Sequence, residues 1–282
     1  MFLALIAALA ASPVEAEARQ ILDEILRVDT SHGNETAALQ PLLVRFQRAG
    51  VRAQILESAP GRGNLVARVP GTGAMRPLLL LAHIDVVPVE GQPWTVPPFQ
   101  PTEKDGYLYA RGVNDDKAMA AAFTAIALEA ARTPQKLSRD LIVALTAGEE
   151  TGGLAGAYWL ARNHRDLIEA ELALNEGGGL TVTPDLSRME SVEIGVAEKT
   201  FQSYGLIVKG KGGHSSMPPT SFDPVVTLAR APQRVGELRF PAKVLPEARE
   251  GIALRACTKN HPSPMPSSTS RRRVRSRRRT TQ

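Results

Sequence analysis

One imidazole and six carboxylates recur at equivalent places along this chain: His83, Asp85, Asp115, Asp116, Glu149, Glu150 and Glu176. His83 and Asp85 close the apolar run "LLLLA". Asp115 and Asp116 lie between "YLYARG" and an alanine-rich segment. Glu149 and Glu150 follow "LIVALTA", and Glu176 follows "LALN". If the runs are strands of an open α/β sheet, these groups sit at carboxyl ends, where such sheets bind ligands. One nitrogen donor among several carboxylate oxygens is a donor set that zinc accepts. Each group also has a plainer reading. His83 and Asp85 are then the polar exit of a core strand. Asp115 and Asp116 serve as a helix cap and dipole partner, and the Glu149–Glu150 pair as a solvated loop. Glu176, before three glycines, is the hardest to read as decoration.

The elements that must position these groups are legible as patterns. "PVEAEARQILDEILRVDT" and "ETAALQPLLVRFQRAG" have apolar residues at helical spacing, the second closed by Gly50. "VRAQILES" and "NLVARVPG" alternate like strands. "PLLLLAHID" and "RDLIVALTAGEE" are continuous buried strands, "GYLYARG" is a short one, and "AELALNEGGG" is a strand ending in glycines. "DDKAMAAAFTAIALEAART" reads as a helix with both aspartates in its first turn, and "GGLAGAYWLARNH" as another. This alternation predicts an α/β sheet with helices on both faces. From Ser191 the pattern changes: "SVEIGVAEKTFQSYGLIVKGKGGHSS" alternates like an antiparallel sheet with an exposed face, and "SFDPVVTLARAPQRVGEL" is helical. A smaller α+β unit is therefore expected over 191–256, after a main domain over 19–190.

Composition removes several function classes. The chain has 282 residues, 43% hydrophobic and 22% charged, enough for a sizeable core. One cysteine, Cys257, excludes an internal disulfide and a cysteine zinc cage. The net charge of +5 belongs to the C-terminus: Lys259 and seven arginines follow Cys257 with no acid, whereas 26 basic and 29 acidic residues precede it. The body is thus mildly acidic, and nucleic-acid binding by it is not expected. Phe2 to Ala11 has the length of a signal-peptide core and is too short to span a bilayer. Residues 1–18 are read as a signal peptide or the start of the first helix. The first reading implies a periplasmic or secreted protein, the second a cytoplasmic one. No later segment is long and apolar enough to be a membrane span.

"AHIDVVP", "WTVPPFQP", "DGYLYARGVNDDK", "GEETGG", "NEGG" and "GKGGHSSMPP" stand in the order and approximate spacing of the M20 family of metallopeptidases. The family includes carboxypeptidase S-like enzymes, carnosinase-like dipeptidases, aminoacylases and a desuccinylase. The resemblance covers about residues 20–256 and is closest to the carboxypeptidase S and dipeptidase branch. It implies a zinc-hydrolase sheet with a smaller α+β lid and dimerisation domain, and a homodimer formed through that lid. It implies two zinc ions: His83 and Glu176 on the first, Glu150 on the second, and Asp115 bridging. Asp85 would orient His83. Glu149 would be general base and acid, taking a proton from a metal-bridging water and passing it to the leaving nitrogen. His214 would reach a partner subunit's site to stabilise the oxyanion. On residues alone it reads as an exposed loop histidine. The implied substrate is a peptide or an N-acyl-amino acid; the rival from another class is a non-catalytic binding module on the same scaffold.

Three departures from the family pattern stand out. Ala118 replaces the usual glycine after "DDK", and Gly148 replaces an aspartate before "EE". The late histidine that completes the second zinc site in the family has no counterpart in its motif, since His261 lies in the tail without it. Residues 257–282 lose apolar periodicity and are rich in Pro, Ser and Arg, so a truncated domain followed by a frame-shifted or disordered basic tail is expected, with weak affinity at the second zinc position. A basic arm for an acidic partner is the other reading of the tail.

Overall fold

The computed structural model describes residues 12–183, 187–193, 195, 204–214, 216–217, 222–241 and 249. The tail from Cys257 and the apolar run before Ser12 lie outside the described residues. The chain divides into two compact units, Met1–Gly177 and Gly178–Gln282. The change of sequence pattern at Ser191 falls some residues after this boundary.

The first unit contains, in chain order, α1 (Pro13–Leu26), α2 (Glu35–Arg48), β1 (Arg52–Glu57), β2 (Gly63–Val69), β3 (Leu78–His83), β4 (Thr102–Lys104), β5 (Tyr107–Tyr109), α3 (Ala118–Arg132), β6 (Leu141–Thr146), α4 (Ala157–Asn163), α5 (Arg165–Ile168) and β7 (Leu172–Leu174). Five strands form one sheet in the order β1-β2-β6-β3-β7. β1 and β2 pair antiparallel, as do β2 and β6, while β3 runs parallel to β6 and β7. β6 lies centrally, and all six of its residues are buried, which is why "LIVALT" shows no alternation.

Helices cover both faces, as the sequence patterning predicts. On one face Leu65, Ala67, Leu80, Ala82, Val143 and Leu145 pack with Ile21 and Ile25 of α1, Leu39, Leu42 and Phe46 of α2, and Ala121, Ala125 and Leu128 of α3. The alternate residues, Val66, Leu79, Ile142 and Ala144, meet Leu160 of α4 and its neighbours Trp159 and Leu167. The period of two along each strand thus sorts one apolar run into two cores. α1 starts sharply. Ser12 Oγ accepts from the Glu15 amide at 3.3 Å, and the Glu15 carboxylate accepts from the Ser12 amide at 2.6 Å. This is a capping box on a helix with proline at its first position.

Two local expectations are corrected. β5 pairs only with β4, in a separate hairpin, so Asp115 does not follow a strand of the main sheet. Nor do the aspartates open the following helix. α3 begins at Ala118, and Val113–Lys117 is an irregular turn in which Asp115 (φ −137°, ψ 98°) and Asp116 (φ −128°, ψ 17°) are non-helical. The reason is tertiary: the aspartates face His83, and the buried Lys117 ammonium donates to the carbonyls of Ile25 (2.9 Å) and Val28 (2.8 Å) at the end of α1. Those contacts outweigh the helical propensity of the segment.

In the second unit, β8 (Gly179–Val182) and β9 (Met189–Glu193) form an antiparallel pair. α6 (Pro224–Glu237) is capped by Asp223, whose carboxylate accepts from the amides of Val225 and Val226. Tyr204 to Gly213, expected in an antiparallel sheet, carries no strand. Among the described residues no helix is long and apolar enough to cross a membrane.

Candidate metal centre

Parallel pairing of β3 and β6 puts His83 opposite Thr146, so both strands finish on the same edge of the sheet. β7 runs parallel beside β3, and Glu176 follows it by two residues. His83 is buried, with 3% of its surface exposed. Its Nδ1–H donates to the backbone carbonyl of Asp85 at 2.9 Å. That bond turns Nε2 outward, where Asp115 Oδ1 stands at 2.9 Å and Glu176 Oε2 at 3.6 Å. Ligand atoms of His83, Asp115 and Glu176 all lie within 4.8 Å of one another. Among the described residues this is the one group of three or more such side chains that could hold a metal ion.

Asp85 contacts both the imidazole and the loop after β6. Its carboxylate is 3.5 Å from His83 Nδ1, whereas its own carbonyl makes the shorter contact. The carboxylate instead accepts from two successive backbone amides, Glu149 (3.0 Å, Oδ1) and Glu150 (3.1 Å, Oδ2). It therefore ties the end of β3 to the loop after β6. Burial alone would raise its pKa, but His83 and the two amides prevail and keep it low, so it remains ionised. Glu149 lines a cleft of about 270 Å³ together with His83, Thr146 and Tyr158. Burial raises the pKa of Glu150, and the charge of Asp115 adds to this, which puts Glu150 within electrostatic reach of Asp115.

Asp116 is a neighbour that sequence reasoning left unassigned. It is buried, and its Oδ2 accepts from the His83 amide at 3.2 Å. Burial, with Glu176 and Asp115 nearby, pushes its pKa up to about 7. A carboxylate that resists ionisation marks surplus negative charge, which a divalent cation would offset. Lys117 behind it is fully buried and lowered to about 8 by burial, against the pull of Asp29, Asp85 and Glu35. The "DDK" run carries a signal for both, since an aspartate and a lysine are rarely buried without partners.

The donor set fits a metal: a tautomer-fixed imidazole, two carboxylates and excess local negative charge. Without a cation, burial of His83 disfavours its charge, but Asp85, Glu176 and Asp116 prevail and raise its pKa to about 10. Nε2 must lose that proton to become a ligand. Metal affinity is therefore expected to rise with pH, by about tenfold per unit between pH 7 and 9. Calorimetry at pH 7 in two buffers of different ionisation enthalpy is expected to show about one proton released per cation. Uptake without proton release would contradict the assignment of His83.

His214 lies in the second unit, where its Nδ1 is 2.8 Å from Ser216 Oγ, and it is exposed.

The sequence pattern of Peptidase family M20/M25/M40 matches residues 79–270. The chain belongs to this family, whose members are metal-dependent hydrolases. It is similar to the succinyl-diaminopimelate desuccinylase of Delftia acidovorans, 32% identical over 215 residues, covering 73% of this chain and 53% of that protein. It is also similar to the acetylornithine deacetylase of Myxococcus xanthus, 33% identical over 226 residues, covering 78% and 54%. Among solved structures, the M20 family metallo-carboxypeptidase Sso-CP2 from Sulfolobus solfataricus matches with 26% identity and a TM-score of 0.46, over 58% of this chain and 38% of that one. The chain spans about half the length of the curated relatives it matches.

Proposed function

We propose that this chain carries the metal site of a hydrolase that cleaves amide bonds whose nitrogen belongs to an amino acid, as in peptides and N-acyl-amino acids. The observation that supports this best is the convergence of His83, Asp115 and Glu176 within 4.8 Å, with Glu149 on the adjoining loop. Those three residues would hold the first cation, and zinc suits their one-nitrogen, carboxylate-rich donor set. Asp115 and Glu150 would hold a second. Among the described residues no third ligand joins them, so tight binding is assigned to the first position only. When bound, the metal polarises the scissile carbonyl and makes water a stronger acid. Glu149 accepts the proton of the attacking water and delivers it to the leaving nitrogen. Asp85 holds the Glu149 and Glu150 amides and the His83 side of the site together.

Peptide substrates of the carboxypeptidase or dipeptidase kind are the first reading. The similarity to a desuccinylase and a deacetylase supports N-acyl-amino acids as the second. In both readings the chain acts as a homodimer through the second unit, with His214 serving the partner's site. A panel of dipeptides and N-acyl-amino acids, assayed with the purified chain before and after metal removal, separates these readings. Metal-dependent release of an amino acid is the expected result. No hydrolysis of any member at any zinc loading would contradict the reading and favour a binding module.

A further inference from the structure

Asn64, near the start of β2, has a fully buried side chain and no counterpart in the motifs that mark the site. Its amide grips both feet of the loop that carries Glu149 and Glu150. Oδ1 accepts from the Ala147 amide at 3.0 Å, and Nδ2 donates to the Ala155 carbonyl at 3.0 Å. Nδ2 also lies 3.3 Å from the Leu56 carbonyl and 3.5 Å from that of Arg62. Only an amide offers an acceptor and a donor side by side on one short planar group.

The rest of the loop is built around that grip. A Cβ on Gly156 would collide with the Ala147 carbonyl oxygen, so the two feet meet only because residue 156 is glycine. Between them, the Gly153 amide donates to the Gly148 carbonyl at 2.7 Å and the Gly152 amide to that of Glu149 at 2.9 Å. Asp85 holds the Glu149 and Glu150 amides from the β3 side. Two clamps, one on β2 and one just beyond β3, thus fix one loop, and Asn64 is the one outside the donor cluster: each of its side-chain hydrogen bonds goes to backbone.

We propose that Asn64 is a positioning residue, its side chain bridging Ala147 and Ala155 so that Glu149 and Glu150 are held at a set place beside His83. This rests on the roles given above to Glu149 and Glu150. The consequence is specific. Loss of the bridge loosens the general base and the second-position carboxylate, and leaves His83, Asp115 and Glu176 as they are.

The test uses the full chain loaded with zinc. Asn64→Ala removes both bonds, and Asn64→Asp keeps the acceptor for Ala147 while losing the donor to Ala155. Phe46→Leu, on the buried face of α2, is a control for general loss of stability. Amide hydrogen exchange at Glu149 and Glu150 is expected to speed up by about tenfold or more relative to core amides in Asn64→Ala, and at least as much in Asn64→Asp, whose buried carboxylate would face the carbonyls of Ala155, Leu56 and Arg62. Zinc affinity at the first position is expected to stay within about threefold, and kcat on any hydrolysed panel member to fall with KM little changed. The proposal is overturned if loop exchange is unchanged, if Phe46→Leu raises it equally, or if kcat holds while the loop opens. If Asn64→Ala does not fold, Asn64→Asp decides by the same criteria. Exchange is read without turnover, so a chain that hydrolyses nothing contradicts the proposed reaction and leaves the exchange result to decide the clamp.

Discussion

Glu149→Gln is expected to reduce metal-dependent hydrolysis by about 10²- to 10⁴-fold while zinc still binds at the His83 position with wild-type affinity. Glutamine keeps the size and the backbone bond to Asp85, because that bond comes from the residue 149 amide and not from its side chain. What it loses is the capacity to accept a proton. The effect therefore falls on kcat, and a proportionate rise in KM would point to a binding role instead. Pairing the assay with calorimetry separates the two. Retained metal with lost turnover identifies the proton carrier, whereas lost metal would place residue 149 among the ligands.

Asp85→Ala is expected to produce the largest loss of stability among single changes at the site. The carboxylate is buried, holds two backbone amides and faces an imidazole that carries a proton at neutral pH. Its removal leaves two part-buried amide donors without that acceptor and takes from the imidazolium a compensating charge 3.5 Å away. Breaking such an arrangement from one side costs about 3 kcal/mol. Urea unfolding of the metal-free protein at pH 7 measures it, and a loss below about 1 kcal/mol would show that the loop amides find other acceptors. The linkage has a definite sign. The His83 pKa stands above its unfolded value, so the stability it contributes is full below about pH 6.5 and disappears as pH rises through about 10. The difference between wild type and Asp85→Ala is therefore expected to narrow over that interval.

Much of this site is legible in the linear sequence because strand ends advertise themselves. "LLLLAH" and "LIVALT" are too apolar to be anything but buried strands, and the charged residues after them have to emerge at one edge once β3 and β6 run parallel. His83, Glu149, Glu150 and Glu176 follow from that reasoning. Asp115 was found by type and missed by geometry. Its neighbours Ala118 to Arg132 are helical, but the aspartates are pulled out of the helix by contacts with His83, 32 and 33 residues earlier. Asn64 was not legible at all. Its partners Ala147 and Ala155 are 83 and 91 residues away, and one polar residue at a strand start carries no local sign of them. In the second unit, alternation from Tyr204 to Gly213 mimics a strand pattern without forming one.

Zinc titration of the purified, metal-stripped chain by calorimetry tests the central claim most directly, with His83→Ala and Glu176→Gln measured beside it. One tight equivalent per chain is expected in the wild type, with affinity lowered by about two orders of magnitude or more in each variant while circular dichroism shows the fold intact. Tight binding that survives in both variants, or two tight equivalents in the wild type, would contradict the assignment of a single well-formed position to His83, Asp115 and Glu176.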